Sequence, residues 1–177
     1  MSLEVLGEHP GAMRVGRFRN LIVVAWSGPT TGAAVRTLID LMVPLHMGKS
    51  EVRSYVHMVP HAVALPDAEA RAGLRYIMNR YEPFIACAGV LLEGSGFWVS
   101  AMRNVVIGLR LLTSTPFAYR IDTAVDDLLT WLPDEHYRRT GVRIAPNDVR
   151  TLLEQGSRWQ LPRSQATTRV SIFKRAR

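Results

Sequence analysis

The sequence predicts an α/β fold in which helices flank a mixed, mainly parallel sheet. Short apolar runs alternate along the chain with longer amphipathic patterns, and glycine or proline separates most of them. The segments between successive strands hold helices of about 12–18 residues, which is enough for the crossovers that parallel strands need. With 177 residues, 47% of them hydrophobic, the chain is large enough for one domain with a real core and an extension. The predicted order is ββαβαβαβα.

The first two strands lie in "AMRVGRFRNLIVVAWSG", with a turn near 17–20. The second strand, 21–26, is apolar and rich in β-branched residues, as a buried strand would be. Thr30 or Thr31 then caps a first helix, which Pro44 and Gly48 are expected to end near "PLHMGKS". Its apolar stripe consists of Val35, Leu38, Ile39, Met42 and Val43.

Two further strand–helix units follow the first helix. The next strand is predicted at 52–59, and its helix begins after Pro66, with Asp67 at the start and Pro83 at the end. The central strand is predicted at 84–92. The buried stripe of the second helix consists of Ala70, Leu74, Ile77, Met78 and Tyr81, and that of the third helix consists of Trp98, Met102, Val105, Val106, Leu109 and Leu112.

The last predicted unit is the strand "FAYRI" and a helix that Thr123 caps and Pro133 ends. Val125, Leu128, Leu129 and Leu132 form the apolar side of this helix.

Charge divides the chain near Tyr137. Residues 1–137 hold 12 Lys and Arg against 13 Asp and Glu, whereas residues 138–177 hold 10 against 2. This asymmetry predicts an α/β domain over 1–137 and a basic extension over 138–177. In the extension, Asn147 can cap a short helix that Gly156 ends, and "TTRVSIF" can add a strand to a sheet edge.

The basic extension can dock on its own domain, bind an acidic partner, or contact nucleic acid or an anionic membrane. Its charges are scattered rather than arranged on one recognition helix, so sequence-specific DNA binding is not predicted. The basic residues are Arg138, Arg139, Arg143, Arg150, Arg158, Arg163, Arg169, Lys174, Arg175 and Arg177.

Gly94-Ser95-Gly96 is the sequence feature most suggestive of catalysis. A nucleophile elbow needs Gly-x-Ser-x-Gly, and the glycines here directly flank Ser95, so hydrolase chemistry is not favoured. The glycine-rich phosphate fingerprints fail as well, because Val99 stands where a third glycine is required. The turn is interpreted as a backbone feature with Ser95 as helix cap, and a weak anion or ligand site is left open.

Metal, disulfide and cofactor sites are not predicted. Cys87 is the only cysteine and lies in an apolar run, which indicates a small core residue. His46, His57 and His61 are candidate metal ligands, but His57 and His61 fall on a strand end and a proline-flanked loop rather than on one helical face. Two exposed or half-buried histidines are therefore favoured over a metal site. The N-terminus does not have the pattern of a signal peptide, and no apolar run has the length of a membrane span. We therefore expect a cytoplasmic protein.

Four segments carry a resemblance to a known family. They are "IVVAWSGPTTGAAVRTLIDL", "LPDAEARAGLRYIMNRY", "CAGVLLEGSGFWVSAMRNVV" and "FAYRIDTAVDDLLTWL". Their spacing and composition over residues 13–132 resemble the STAS-like domains of the group named after the sporulation anti-sigma-factor antagonist. The resemblance implies a non-enzymatic protein–protein interaction module in bacterial-type signalling or regulation.

The resemblance also implies a contact region around the start of the second helix. Phosphoregulated members carry a Ser or Thr there, whereas 65–69 has no hydroxyl and already has two acidic side chains. The phospho-switch is therefore not carried over, and a constitutive partner surface is expected. Its residues are Pro66, Asp67, Glu69, Arg71 and Arg75.

Two other functions stay open beside the interaction module. One is a small-ligand-binding protein or enzyme that uses the turns at the carboxyl ends of the strands, near Gly28, Pro66 and Gly94. The other is a nucleic-acid adaptor that acts through the basic extension. The sequence does not decide whether the chain forms a homo-oligomer.

Overall fold

A single sheet organises the computed structural model, which describes residues 1–47, 51–61, 63–112 and 117–160. Within these residues six strands lie side by side in chain order, from β1 to β6. Strand β2 is antiparallel to both β1 and β3, whereas β3 to β6 are parallel, which confirms the predicted α/β class and mainly parallel sheet. The strands are β1 (Glu4–His9), β2 (Met13–Phe18), β3 (Leu21–Trp26), β4 (Arg53–Val59), β5 (Ile85–Leu92) and β6 (Ala118–Asp122).

Strand β1 was not predicted. It lies at one edge of the sheet and is mostly exposed, so its sequence lacks the apolar alternation of a half-buried strand. Ion pairs between Glu4 and Arg17 and between Glu8 and Arg14 join it to β2. Edge pairing of this kind leaves little hydrophobic signal in a sequence.

Three helices connect the parallel strands and cover one face of the sheet. They are α1 (Gly32–His46), α2 (Ala68–Tyr81) and α3 (Phe97–Leu111). Because each crossover leads to the next strand along, crossovers of one hand place all three helices on the same face. Their apolar side chains form one core cluster with alternate residues of β3, β4 and β5.

The C-terminal helices cover the opposite face of the sheet. They are α4 (Val125–Leu129), α5 (Leu132–Thr140) and α6 (Pro146–Gln160). Leu152 and Leu153 of α6 pack in a second core cluster with Leu21, Val23 and Met58 of the strands. The sheet is therefore a middle layer between two layers of helices.

Two predicted helix caps are confirmed, and α1 ends at His46, within the segment where its end was predicted. The Thr31 hydroxyl accepts a hydrogen bond from the Ala34 backbone N–H, and the Asp67 carboxylate accepts one from the Ala70 N–H. Pro44 lies inside α1 rather than at its end. It stands in the last turn, where little helix remains to be disrupted, and its side chain is exposed.

The predicted last helix is two helices. The N-cap residue of the first of them, α4, is Ala124, whose side chain makes no capping hydrogen bond, so the prediction that Thr123 is the cap is wrong. The chain leaves the α-helix after Leu129, and Pro133 stands in the first turn of α5 instead of ending a helix. A proline is well tolerated there because the first-turn N–H groups have no helical acceptor.

Part of the basic extension belongs to the folded sandwich. The predicted division after Tyr137 falls inside α5, and α6 begins at Pro146 and continues past Gly156, where the predicted short helix should end. Gly156 is buried on the sheet rather than placed at a helix end. The Leu3 N–H donates to the Gln155 side chain at 2.9 Å, which ties α6 to the N-terminus. The predicted strand "TTRVSIF" lies outside the described residues.

Candidate functional site

An apolar cavity of about 110 Å³ lies between the sheet and helices α1–α3. It is lined by side chains from β3–β6, all three helices and the loops beside them. The lining residues are Trp26, Thr30, Leu38, Met42, Tyr55, His57, Val59, Pro66, Leu74, Ile77, Met78, Ile85, Ala88, Val90, Met102, Val105, Val106, Leu109, Phe117 and Tyr119.

The cavity arises from unequal packing of the three helices. Helix α2 lies close to α1, since a Cβ at Gly73 would be 2.7 Å from Cγ1 of Val35. The backbone of α3 lies closer to the backbone of α2 than to the strands. A Cβ at Gly108 in α3 would have no heavy atom within 4 Å. Helix α2 therefore packs more closely against α1 than against α3.

The cavity is elongated along the strands. It extends from Thr30 and Pro66, beyond the carboxyl ends of β3 and β4, to Ile85 and Phe117 near the amino ends of β5 and β6. The five residue steps from Ile85 to Val90 correspond to roughly 16 Å at the rise of a parallel strand.

The less enclosed side of the cavity lies between α2 and α3. Leu74 and Met78 of α2 and Val105 and Val106 of α3 line it and are only half-buried. A molecule that enters from solvent would therefore pass between these two helices.

His57 supplies the clearest polar group in the cavity. Its Nδ1 accepts a hydrogen bond from Nε1–H of Trp26 at 3.3 Å. Because an indole nitrogen can only donate, Nδ1 must be unprotonated and the neutral ring carries its proton on Nε2. Burial lowers the pKa of His57 to about 4, which keeps the ring neutral at physiological pH.

The second ring nitrogen of His57, Nε2, has no hydrogen-bond partner within the described residues, and it is not one of the fully enclosed unpaired polar atoms. Nε2 therefore keeps some accessible surface, and His57 is one of the residues that line the cavity. The nearby Tyr55 hydroxyl, in contrast, is hydrogen-bonded to Nε2 of His46 at 2.7 Å.

His46 lies in the core, whereas His57 is half-buried and His61 exposed, as predicted for those two. The His46 ring stacks on Tyr81 at 5.0 Å between centroids and is 5% exposed. Burial, together with the charge of Arg53, lowers the pKa of His46 to about 4. His61 is exposed beside Trp98. Among the described residues, no group of three His, Cys, Asp or Glu side chains could hold a metal ion.

A second buried histidine lies on the opposite face of the sheet. Nδ1 of His136 is 2.7 Å from the Ser54 hydroxyl, which the Cys87 thiol approaches at 3.0 Å. Burial raises the pKa of Cys87 to about 11 and lowers that of His136 to about 4. All three side chains are at most 1% exposed, so this arrangement links β4, β5 and α5 in the core rather than meeting a substrate. The prediction that Cys87 is a small core residue is confirmed.

The Gly94-Ser95-Gly96 turn is a backbone feature, as predicted, but Ser95 is not the helix cap. Gly94 and Gly96 have φ angles of +103° and +78°, which favour glycine. Gly96 is the N-cap of α3 and no side chain caps this helix. Ser95 is exposed and does not line the cavity, so the ligand site suggested for this turn stays a prediction.

The five residues of the predicted partner surface have different surroundings. Pro66 lines the cavity and Asp67 caps α2. Glu69 forms an ion pair with Arg36, and Nη1 of Arg71 donates to the Pro66 carbonyl at 2.8 Å.

Arg75 is exposed on the outer side of α2. The partner surface stays a prediction, with Arg75 as its most available charge.

Several arginines of the basic extension make contacts inside the fold. Arg138 and Arg139 bind Glu135; burial alone would raise the pKa of this carboxyl, but their hydrogen bonds lower it. Arg150 pairs with Asp126, and Arg143 lies 4.1 Å over the Tyr137 ring. Arg158 is exposed on α6. Arg163, Arg169, Lys174, Arg175 and Arg177 lie outside the described residues.

Comparison with known proteins supports the fold. No protein-family model matches the chain, and no curated protein does. A solved structure from Shewanella loihica PV-4, described as an uncharacterised protein of the DUF3478 family with a SpoIIAA-like fold, matches with a TM-score of 0.51 and 12% identity. The match covers 68% of this chain and 92% of that one. The chain therefore has a SpoIIAA-like, or STAS-like, fold.

One further finding concerns membranes. Within the ranges that the structure describes, no helix combines the length and the apolar character that a membrane span requires.

The sequence analysis missed the cavity. Its lining residues are ordinary members of apolar stripes. Nothing in their spacing distinguishes a side chain that is closely packed in the core from one that lines a cavity. The one available signal was His57, a polar residue inside the strand "VRSYVHMV". A buried histidine in a strand needs hydrogen-bond partners, and only the structure shows that one ring nitrogen lacks a protein partner.

Proposed function

We propose that the protein is a non-enzymatic binding protein that holds a small, largely apolar molecule in the cavity between the sheet and α1–α3. The cavity itself is the observation that carries this proposal. Protein cores contain few voids larger than a water molecule, which occupies about 30 Å³ of liquid. A space of about 110 Å³ lined mainly by hydrocarbon is several times that size.

The size of the cavity and its one clear donor define the class of ligand. An apolar cavity of about 150 Å³ is sufficient for benzene, so this partly open one suits a molecule of about six to eight non-hydrogen atoms. The Nε2–H of His57 would donate to one oxygen of the ligand. A charged ligand is disfavoured, because the burial that lowers the pKa of His57 also penalises other charges in the cavity.

Methionine methyl groups give a direct test by NMR. Met42, Met78 and Met102 line the cavity, whereas Met58 is buried on the opposite face and serves as an internal control. Cyclohexanone is a suitable probe, and methylenecyclohexane has nearly the same shape without the oxygen. We expect both probes to shift the three lining methyl signals in the millimolar range, with tighter binding of the ketone. The methyl signal of Met58 should not shift.

A matched pair of variants tests the role of His57. In His57→Leu the preference for cyclohexanone should disappear while methylenecyclohexane still binds. His61→Leu changes an exposed histidine outside the cavity lining and should keep the preference. Absence of any shift at the lining methionines up to probe saturation would contradict the proposal, and so would equal shifts at Met58.

A protein–protein interaction module in signalling or regulation is the second candidate. The resemblance to STAS-like domains implies it, and one observation at the predicted surface favours it. Tyr76, next to Arg75 in α2, is 50% exposed, and Leu65 in the loop before α2 is 45% exposed, so this surface presents apolar side chains together with a charge. Exposed aromatic and arginine side chains are typical of interface centres.

The second candidate is tested by comparing partner recovery between variants. Proteins recovered from native lysate with the full chain should be lost with Arg75→Glu/Tyr76→Ser if α2 is the contact. They should be retained with Arg158→Glu, which changes an exposed arginine on α6. Loss with Arg158→Glu alone would instead favour the basic extension and its nucleic-acid or acidic partners.

A further inference from the structure

A groove of about 640 Å³ follows the outer edge of the sheet between β6 and α3. Strand β6 pairs with β5 on one side, and among the described residues no strand pairs with its other side. The outward N–H and C=O groups of an edge strand are available to another extended chain. The groove is lined by Arg103, Ile107, Arg110, Leu111, Tyr119, Arg120 and Ile121.

The lining of the groove is positively charged. It contains three arginines and no acidic residue. Nε of Arg120 donates to Oδ1 of Asp122 at 2.8 Å, which orients the guanidinium at the edge and leaves its Nη groups for other acceptors. The guanidinium of Arg110 lies 5.8 Å over the ring of Tyr119. A partner that carries carboxylates would complement this surface.

The same groove also exposes apolar side chains. Leu111 and Ile107 of α3 are 80% and 43% exposed, and Ile121 of β6 is half-buried beside them. An extended peptide alternates its side chains between two faces, so it can present acidic and apolar residues in turn. Backbone pairing with apolar and charged side-chain contacts is the usual chemistry of strand addition.

We propose that β6 and α3 bind an acidic, extended segment of another protein, which adds to the sheet as a strand along β6. Its carboxylates meet the arginines of the groove, and its apolar side chains contact Ile107 and Leu111. The β6 strand has five residues, so the bound segment spans about five to six residues. This inference is independent of the ligand proposed for the cavity, which lies under the other side of α3.

Charge argues against the other occupants. Residues 161–177 of this chain carry five Lys and Arg and no acidic residue, so they would meet like charge in the groove. Pairing of β6 with β6 of a second copy would bring two sets of these arginines together. Nucleic acid and anionic lipid match the charge but have no amide backbone to pair with β6.

The test is fluorescence anisotropy with the full chain and a labelled, end-blocked peptide of six residues that alternates Glu and Val. Three related probes separate the contributions: the same peptide with Lys in place of Glu, the Glu peptide with every backbone nitrogen methylated, and a labelled thymidine oligonucleotide. Vesicles of phosphatidylcholine and phosphatidylglycerol test the lipid alternative. Arg103→Glu/Arg110→Glu reverses the groove charge, and Asn79→Glu/Arg80→Glu makes two exposed positions of α2 negative as the control.

We expect the Glu–Val peptide to bind the wild type and to bind about tenfold more weakly, or worse, to the groove variant. The α2 variant should bind as the wild type does, and the Lys and N-methylated peptides should not bind. Amide exchange at 118–122 should slow when the Glu–Val peptide is bound. Equal binding of the N-methylated peptide, equal binding to the groove variant, or failure of the Glu–Val peptide to bind would each overturn the proposal. Groove-dependent binding of the oligonucleotide or the vesicles alone would overturn it in favour of that partner.

Discussion

The two faces of the sheet are packed very differently, although the same strands supply both. On the α4–α6 face, Leu128, Leu132, Leu152 and Leu153 are 0–1% exposed and interlock with the strands. On the α1–α3 face, comparable apolar side chains surround a cavity of about 110 Å³. Close packing maximises stability, whereas unfilled apolar space lowers it unless something binds there. One face is therefore packed for stability, and the other leaves the space in which we propose that a ligand binds.

Small residues explain why the α4–α6 face is dense. A Cβ at Gly156 of α6 would be 2.7 Å from Sδ of Met58, and a Cβ at Gly89 of β5 would be 2.7 Å from Cδ1 of Leu128. Helix and strand backbones therefore approach as closely as their side chains allow. Helix α3 has no such contact at its own central glycine, Gly108.

The largest effect is expected from removing α6. Truncation after residue 137 deletes Val149, Leu152 and Leu153, each worth about 1.5–3 kcal/mol when buried, and uncovers one face of β3. The loss is comparable with a total stability of about 5–15 kcal/mol, so the 1–137 chain should not fold stably.

Truncation after residue 160 removes only residues beyond α6 and is the matched control. Urea unfolding followed by circular dichroism compares the two. A 1–137 chain that unfolds cooperatively at the midpoint of the full chain would show that α6 is dispensable.

Acid should destabilise the protein through histidines on both faces. His46 and His57 on one side and His136 on the other have pKa values of about 4, against about 6.5 in an unfolded chain. The unfolded chain therefore binds protons that the native chain does not as the pH falls from about 6.5 to about 4. The stabilisation is fully present above pH 6.5 and is lost through this window, by about 1.4 kcal/mol per pH unit for each histidine.

Urea midpoints at pH 7.5, 5.5 and 4.5 measure this loss. In His136→Asn, the amide can keep a hydrogen bond to the Ser54 hydroxyl and has no proton to gain, so the slope should fall by about a third. His61→Asn, at an exposed position, is the control. An unchanged slope in His136→Asn would exclude His136 as a source of the acid sensitivity.

The different packing of the two faces also explains what the sequence predicted well. The strand at 21–26 was predicted as buried, and β3 has those bounds and is buried on both faces. Helices α1–α3 could cover only one face, so the strand itself required a second cover. The need to cover this second face was the signal that α6 packs on the sheet. The charge asymmetry instead led to the prediction that these residues form a separate extension.

The cavity and β1 could not be predicted from the sequence, for a different physical reason. Hydrophobic periodicity reports which side of an element is buried and not how closely it is packed, so the gap under α3 leaves no pattern. Strand β1 pairs at an exposed edge and contributes little to either core. Caps with a local hydrogen bond, such as Thr31 and Asp67, were predicted because their partners lie three residues away.

A matched pair of leucine truncations compares the two faces directly. Leu152→Ala in the dense core should cost about 2–5 kcal/mol. Leu109→Ala enlarges a cavity that already exists and removes fewer contacts, so its cost should be smaller by about 1 kcal/mol or more. Urea denaturation of both variants gives the difference, and equal losses would mean that the α1–α3 face is as tightly packed as the other.

The smallest and most specific effect is expected from two glycines in helices on opposite faces. Replacing Gly by Ala in a helix gains about 0.5–1 kcal/mol when space is available, and Gly108→Ala in α3 should show this gain because nothing lies within 4 Å of its Cβ. Gly156→Ala places the same methyl group 2.7 Å from Sδ of Met58 and 3.3 Å from Cγ1 of Val23. Overpacking of this kind costs about 1–3 kcal/mol, which exceeds the helical gain. Thermal unfolding should therefore shift upwards for Gly108→Ala and downwards for Gly156→Ala, and shifts of the same sign would show that the two faces do not differ in packing at these helices.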